Sequence, residues 1–227
     1  MSQEKETSNI VPVSKKVIVD SKQGQHLKKS VIKKEIYNSF NHSGLAKKMS
    51  NLEMTIGITS PGKEDGKTVV ASNLAVSLAL AYKKKTVLID LNVENPCLHE
   101  IFDTNLKPGL VESFKNGSVF LSKTKLDLLY LLPAGRQRKG SLDFSDITAL
   151  KDIIKSLKEE FEMIIIDMGS VLPIKNFPAV FANEVDGMLM VLDAEKTKFD
   201  NIERVLRHIN KKNIFGFIFN KMDEELI

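Results

Sequence analysis

Residues 54–82 read MTIGITSPGKEDGKTVVASNLAVSLALAY. An apolar run, Met54–Thr59, meets a polar loop closing in Gly66-Lys67-Thr68, and a second apolar run of helical length follows from Val69 to Tyr82. Strand, glycine-bearing loop and helix in that order form a phosphate-binding P-loop. The glycine lets backbone N–H groups converge on phosphate oxygens, and the start of the helix adds about half a positive charge. Lys67 is placed to reach the terminal phosphates and the Thr68 hydroxyl to meet Mg²⁺. One position departs from G-x-x-x-x-G-K-[ST]: counting back from Gly66, the first glycine is replaced by Pro61.

Two further stretches, Thr86–Asp90 (TVLID) and Met163–Asp167 (MIIID), are β-rich apolar runs that each end in a carboxylate. In an open parallel sheet, ligands sit beyond the C-terminal ends of the strands. Asp90 and Asp167 are therefore expected beside the P-loop, where Mg²⁺ takes oxygen ligands directly or through water. A single aspartate after a strand more often starts a turn; two behind a Gly-Lys-Thr loop favour the metal.

Strand and helix patterns alternate from residue 54 onward. The run Val69–Tyr82 is apolar on nearly every side, as a helix packed deep against a sheet would be. Further helices are expected over Val31–Phe40, Pro108–Phe114 and Ile147–Phe161, and another carrying Phe199, Ile202, Val205, Leu206 and Ile209. Further strands are expected over Leu126–Leu132, Asp186–Leu192 and Ile214–Asn220. The fold class that follows is α/β, a doubly wound, mostly parallel sheet with helices on both faces. Residues 1–28 are expected to be a basic, loosely attached arm, and 29–227 a single domain.

At 227 residues and 42% apolar content the chain can bury one sizeable core. No apolar run approaches the ~20 residues of a membrane span, and the polar start MSQEKETSN lacks a signal-peptide apolar region. The expected location is the cytoplasm. Cys97 is the only cysteine, and the four histidines are scattered, so neither disulfides nor zinc chemistry is expected. Residues 1–50 hold ten lysines against four acids, a net of +6, whereas the rest has 23 basic and 25 acidic residues. The positive excess sits at the N-terminal end, where it suits the anionic inner face of a membrane or an acidic partner. With only four arginines and few aromatics, nucleic acid is disfavoured.

The span from Glu35 to Asp223 resembles the cytoplasmic catalytic domain of the bacterial tyrosine kinases of capsule and exopolysaccharide systems. These belong to the deviant-Walker P-loop ATPases, with the MinD and ParA partition proteins. The stretch ITSPGKEDGKTVVASNLAVSLALAYKKKTVLID is similar to their ITS…GKS…NLA…LID pattern, and many members also lack the first Walker A glycine. Asn95-Pro96-Cys97-Leu98-His99 with Phe102 resembles their RPxLHxxF segment. Pro108-Gly109-Leu110, Leu132-Pro133-Ala134-Gly135, Ile165-Ile166-Asp167 with Val171-Leu172-Pro173, and Phe219-Asn220-Lys221 match later stations in order. The resemblance implies ATP and Mg²⁺ as cofactors. It implies Gly62, Asp65, Gly66, Lys67, Thr68, Val69 and Asn220 around the nucleotide, with Asn220 at the base. It implies Thr68, Asp90 and Asp167 at the metal, and Lys67, Asp90 and Asp167 as the catalytic set. It further implies a membrane-embedded polysaccharide co-polymerase as partner.

The departures qualify the activity. In the Walker A′ motif hhDxDxR the second carboxylate is Asn92 and the arginine is Glu94; an amide cannot accept a proton as a base. The E-x-x-R-x-x-R assembly helix aligns with Glu35, Asn38 and Asn41, which predicts a monomer or small oligomer. The tyrosine cluster is missing from the C-terminal sequence NKMDEELI. The expectation is an ATP-binding relative of these kinases with weak or lost tyrosine autophosphorylation. Two alternatives stand beside it: a non-catalytic, ATP-dependent interaction module and a partition-type ATPase. Against the latter, Gly62 occupies the position of its signature lysine.

Overall fold

A computed structural model describes residues 15–32, 34–137, 142–173, 182 and 184–222. Eight strands form one sheet in the order β1-β4-β5-β3-β6-β2-β7-β8. They span Lys16–Gln23 (β1), Met54–Thr59 (β2), Thr86–Asp90 (β3), Ser118–Lys123 (β4), Leu129–Leu132 (β5), Met163–Asp167 (β6), Gly187–Asp193 (β7) and Ile214–Asn220 (β8). Six run parallel; β4 pairs antiparallel with β5, and β1 runs with β4. The helices are Lys34–His42 (α1), Leu45–Ser50 (α2), Lys67–Leu80 (α3), Leu98–Ile101 (α4), Leu110–Lys115 (α5), Phe144–Lys158 (α6) and Phe199–Leu206 (α7).

Strands β2, β3 and β6 fall on the expected residues and are buried along their whole length. Both faces are covered, so a run without polar alternation suits them. On one face Ile56, Ile58, Leu88 and Ile165 pack against Leu74 and Leu78 of α3. On the other, Val87, Ile89, Ile164 and Ile166 pack against Leu150, Ile153 and Leu157 of α6, with Val205 of α7 in the same cluster. Every residue of α3 from Val70 to Ala79 is buried, because α1 and α2 form a further layer outside it. Two of its buried polar side chains bond outward: Asn73 Nδ2 donates to the Val31 carbonyl (2.8 Å) before α1, and Ser77 Oγ to Asn41 Oδ1 (2.8 Å) in α1.

Several expectations need correction. Lys16–Gln23, read as part of a loose arm, is the edge strand β1, registered against Ser118–Lys123. Its β-branched run Val17–Val19 is short and flanked by polar residues, and Ile18 and Val19 stay exposed, as on a strand paired on one side only. Strand β4 was not anticipated. The strand expected over Leu126–Leu132 begins only at Leu129, because Thr124 and Leu126 make a turn: Thr124 Oγ1 donates to the Leu129 carbonyl (2.8 Å) and Leu129 N to the Leu126 carbonyl (3.0 Å). Asp186 precedes β7 rather than opening it; its carboxylate accepts from Thr55 N at 2.7 Å. The helix expected over Val31–Phe40 runs instead from Lys34 to His42. Residues 1–14, the tail 223–227 and the side chains of Glu35 and Tyr37 lie outside the described residues. Among the described residues, no helix is long and apolar enough to cross a membrane.

Candidate functional site

The loop between β2 and α3 turns on Gly66, whose φ of +95° lies in the left-handed region. A side chain there would also strike the Asn220 amide. The loop is braced internally. Gly62 N donates to Asp65 Oδ2 (2.8 Å), Ser60 Oγ donates to the Gly62 carbonyl (2.5 Å), and Lys67 Nζ reaches the same carbonyl (3.4 Å). The segment after β6 holds the loop from outside: Val171 N donates to the Ser60 carbonyl (2.9 Å) and Leu172 N to that of Pro61 (3.0 Å). Pro61 is buried, and its carbonyl is used where the usual motif has its first glycine.

A cleft of about 550 Å³ opens over this loop, lined by Gly66, Lys67, Thr68 and Val69, by Asn92 from the β3–α4 loop, and by Ser170 after β6. At its floor Thr68 Oγ1 donates to Asp167 Oδ2 at 2.6 Å. Burial lowers the Lys67 ammonium pKa, and the nearby Asp167 and Asp65 carboxylates hold it up. The β3–β6 register sets Asp90 directly opposite Asp167. Burial first and the neighbouring Asp167 second push Asp90 up to about 7. Asp167 is pushed up to about 6 by burial, against the pull of the Thr68 hydroxyl and Lys67.

The two aspartates are not equivalent. Asp90 Oδ1 accepts from Asn92 N (3.1 Å), and Oδ2 accepts from Cys97 N and Leu98 N (both 3.2 Å). It ties the β3–α4 loop back onto its own strand, with both of its oxygens engaged by backbone N–H groups. Asp167 keeps one oxygen, Oδ1, buried and without a partner among the described residues. That orphaned acceptor, next to the Thr68 hydroxyl, fits a divalent cation held by Thr68 and Asp167 and completed by phosphate oxygens. Cys97, at the head of α4, has its thiol pushed up to about 11 by burial and by Asp90 and Asp167, so it is an inert thiol.

Of the expected nucleotide residues, Gly66, Lys67, Thr68 and Val69 line the cleft. Gly62 and the buried Asp65 serve as loop braces. Asn220 stands on the opposite flank of the P-loop, where its Nδ2 donates to the Asp65 carbonyl (3.0 Å). Sequence reasoning missed Lys221, which follows it: Nζ donates to the Glu64 carbonyl (2.8 Å) and pairs with Asp193 Oδ2 (2.7 Å). The available signal was a cation directly after a strand end already assigned to the site.

Residues 56–226 match the CobQ/CobB/MinD/ParA nucleotide-binding domain family. The chain belongs to this family. Among its relatives is the tyrosine-protein kinase CpsD of Streptococcus agalactiae serotype III, 27% identical over 216 residues that cover 92% of this chain and 89% of that protein. The succinoglycan biosynthesis transport protein ExoP of Rhizobium meliloti is 32% identical over 178 residues, 74% of this chain. The matched part is only 22% of ExoP. Among solved structures, the kinase domain of VpsO superposes with a TM-score of 0.69 at 22% identity, covering 83% of this chain and 95% of that one. The eight-stranded, mostly parallel sheet is thus the fold of the nucleotide-binding family, and the kinases of polysaccharide systems are homologues of this chain.

Proposed function

We propose that this protein binds MgATP and acts in the control of polysaccharide synthesis or export, with tyrosine autophosphorylation weak or lost. The observation that carries the nucleotide reading is the Thr68–Asp167 hydrogen bond at the mouth of a left-handed Gly66 turn. It sets a P-loop hydroxyl and a strand-end carboxylate with a spare oxygen at one point, which is what a phosphate-bound cation needs. When bound, Mg²⁺ would neutralise phosphate charge. The chain's own contribution is the Lys67 ammonium, the N–H groups at the start of α3, and the Asp90-braced loop that carries Asn92 to the cleft.

The polysaccharide setting rests on the homologous kinases and on ExoP; from it we infer a membrane-embedded co-polymerase as partner. A cytoplasmic site of action follows, with the lysine-rich N-terminal region resting on anionic lipid. The protein is placed as a monomer or small oligomer. Asn92 favours a second reading, in which ATP orders the loops that engage the partner and no phosphoryl group is transferred.

Incubation with γ-labelled ATP and Mg²⁺, scoring free phosphate and protein-bound label separately, tests the pair. Slow phosphate release without protein label supports the first reading, and tight binding with neither supports the second. Lys67→Met should abolish binding in a folded protein; unchanged affinity would remove Lys67 from the site.

A further inference from the structure

The two edges of the sheet are built differently. Edge strand β1 carries Lys16 and Asp20 and slips register between Asp20 and Gln23. Charges and bulges are the devices by which edge strands avoid further pairing. Strand β8 at the other edge reads IFGFIFN, without a charge or a proline. Among the described residues no strand lies beyond it.

The side chains of β8 alternate along its whole length. Phe215, Phe217 and Phe219 stand on one face and are 48, 43 and 61% exposed, while the residues between them are better covered. The backbone alternates in step. Ala194 N, at the end of β7, donates to the Asn220 carbonyl (2.9 Å), so Asn220, Ile218 and Gly216 turn their polar groups toward β7. The N–H and C=O groups of the three phenylalanines therefore face the open edge.

That edge is complementary to itself. A second copy laid antiparallel about a two-fold axis through Phe217 sets Phe217 against the partner subunit's Phe217. Phe215 then meets the partner subunit's Phe219. These are the residues whose backbone groups face outward, so each facing pair exchanges both of its hydrogen bonds. The phenylalanines of the two copies form one ladder on one face, and aromatic neighbours are favourable across strands. On the other face Ile218 meets the partner subunit's Gly216. A Cβ added at Gly216 finds nothing within 4 Å, so there is room for the isoleucine.

The area sets the strength. A phenylalanine buries about 150–250 Å² when fully covered, so three half-exposed rings offer about 300 Å² of apolar surface per copy. Exposed apolar patches of that size mark interaction sites. A standard interface takes about 800 Å² from each partner. The backbone bonds along the edge must therefore contribute, and the association is weak and reversible.

We propose that β8 is a dimerisation edge, through which two copies of this chain join their sheets into one. Strand β8 runs parallel to β7, and β7 to β2, whose end carries the P-loop. The antiparallel junction consequently puts the two P-loops at opposite ends of the joined sheet, and neither site completes the other. The dimer forms with or without MgATP.

The test is sedimentation of the full chain across a concentration series, with and without MgATP. The wild-type mass should double in both media as the concentration rises to several hundred micromolar. Phe217→Lys sets like charges opposite each other and should stay monomeric while remaining folded by circular dichroism. Disulfide trapping reads the register independently of that variant. In a Cys97→Ser background, Phe217→Cys brings the substituted positions about 5.5 Å apart between Cα atoms, inside the disulfide range of ~4.4–6.8 Å. It should cross-link on mild oxidation. Phe215→Cys should not, because its counterpart lies opposite position 219, about 14 Å along the strand at ~3.4 Å per residue.

A wild-type chain that stays monomeric throughout overturns the proposal and assigns the phenylalanines to another segment or another partner. A dimer that survives Phe217→Lys, or that requires MgATP, overturns it by placing the contact elsewhere. Equal cross-linking at positions 215 and 217 also overturns it, since collision without register would give that result.

Discussion

Thr68 Oγ1 donates to Asp167 Oδ2 across 2.6 Å, joining the first turn of α3 to the end of β6, while Asp167 Oδ1 is left buried with no partner among the described residues. A buried acceptor without a partner costs about 1–3 kcal/mol, so a cation that takes up Oδ1 gains from satisfying it. Asp167→Asn should therefore weaken nucleotide affinity in Mg²⁺ by about tenfold or more, and far less in EDTA. The loss will not come from unfolding. A carboxyl raised to about 6 in the fold binds more protons there than in the unfolded chain between about pH 4 and 6. Its ionisation then lowers stability as pH rises, and a neutral amide removes that penalty. Titration calorimetry in both media checks this; equal losses would assign Asp167 a purely structural role.

Asp90 makes a different prediction. Its carboxylate accepts three backbone N–H groups of the β3–α4 segment, so Asp90→Ala strands all three inside a buried loop. The expected cost is about 2 kcal/mol or more, read as a lower urea midpoint with an unchanged slope. Asp90→Asn retains one acceptor oxygen and should lose less. If Asp90→Ala left stability unchanged and reduced only Mg²⁺ affinity, the carboxylate would belong to the metal after all.

The contrast between these aspartates marks how far the sequence could be read. Strands β2, β3 and β6 were legible to the residue, because burial on both faces demands short, mostly apolar runs between polar breaks. Gly66, Lys67 and Thr68 were legible because their roles depend on neighbours in the chain. The roles of Asp90 and Asp167 look identical in TVLID and MIIID, and they diverge only through what each meets in three dimensions. The Asn220 and Lys221 contacts to Asp65 and Glu64 join residues more than 150 positions apart, so no local pattern could show them. Strand β1 was missed because one unpaired edge lets its sequence stay half polar.

The Lys221–Asp193 pair sets a pH dependence. The Lys221 ammonium, by its hydrogen bond, holds the Asp193 carboxyl below the usual carboxylate range. An acid whose pKa is lower in the fold stabilises it above the unfolded value, and that contribution is lost as pH falls through the folded one. Wild type should therefore lose stability below about pH 4 more steeply than Asp193→Asn does. Chemical denaturation at a series of acidic pH values reads the difference; parallel profiles would show that the pair contributes nothing to acid sensitivity.

Phosphotransfer to Tyr82 and Tyr130 of the same chain is opposed by the geometry. Tyr130 lies opposite Val87 in the β3–β5 register, three residues short of Asp90. At ~3.3 Å per residue it is about 10 Å below the strand ends where the phosphates bind. Tyr82 lies beyond the far end of α3, a helix that rises about 21 Å from the P-loop at ~1.5 Å per residue. In-line attack needs the reacting atoms within about 3.5 Å, so neither hydroxyl reaches the phosphate of its own chain. Tyr130 is further held by an edge-on contact with Phe161, ring centroids 5.3 Å apart. Asn92, which lines the cleft where a second carboxylate would act as base, removes a contribution typically worth about 10²–10⁴-fold. Mass spectrometry after incubation with MgATP should find no phosphate at Tyr82 or Tyr130. Asn92→Asp should raise ATP turnover by restoring a proton acceptor in the cleft that Lys67 also lines. Abundant phosphotyrosine on the wild-type chain would require transfer between copies and would sink the reading of lost autophosphorylation. No gain from Asn92→Asp would favour a nucleotide-gated interaction module instead.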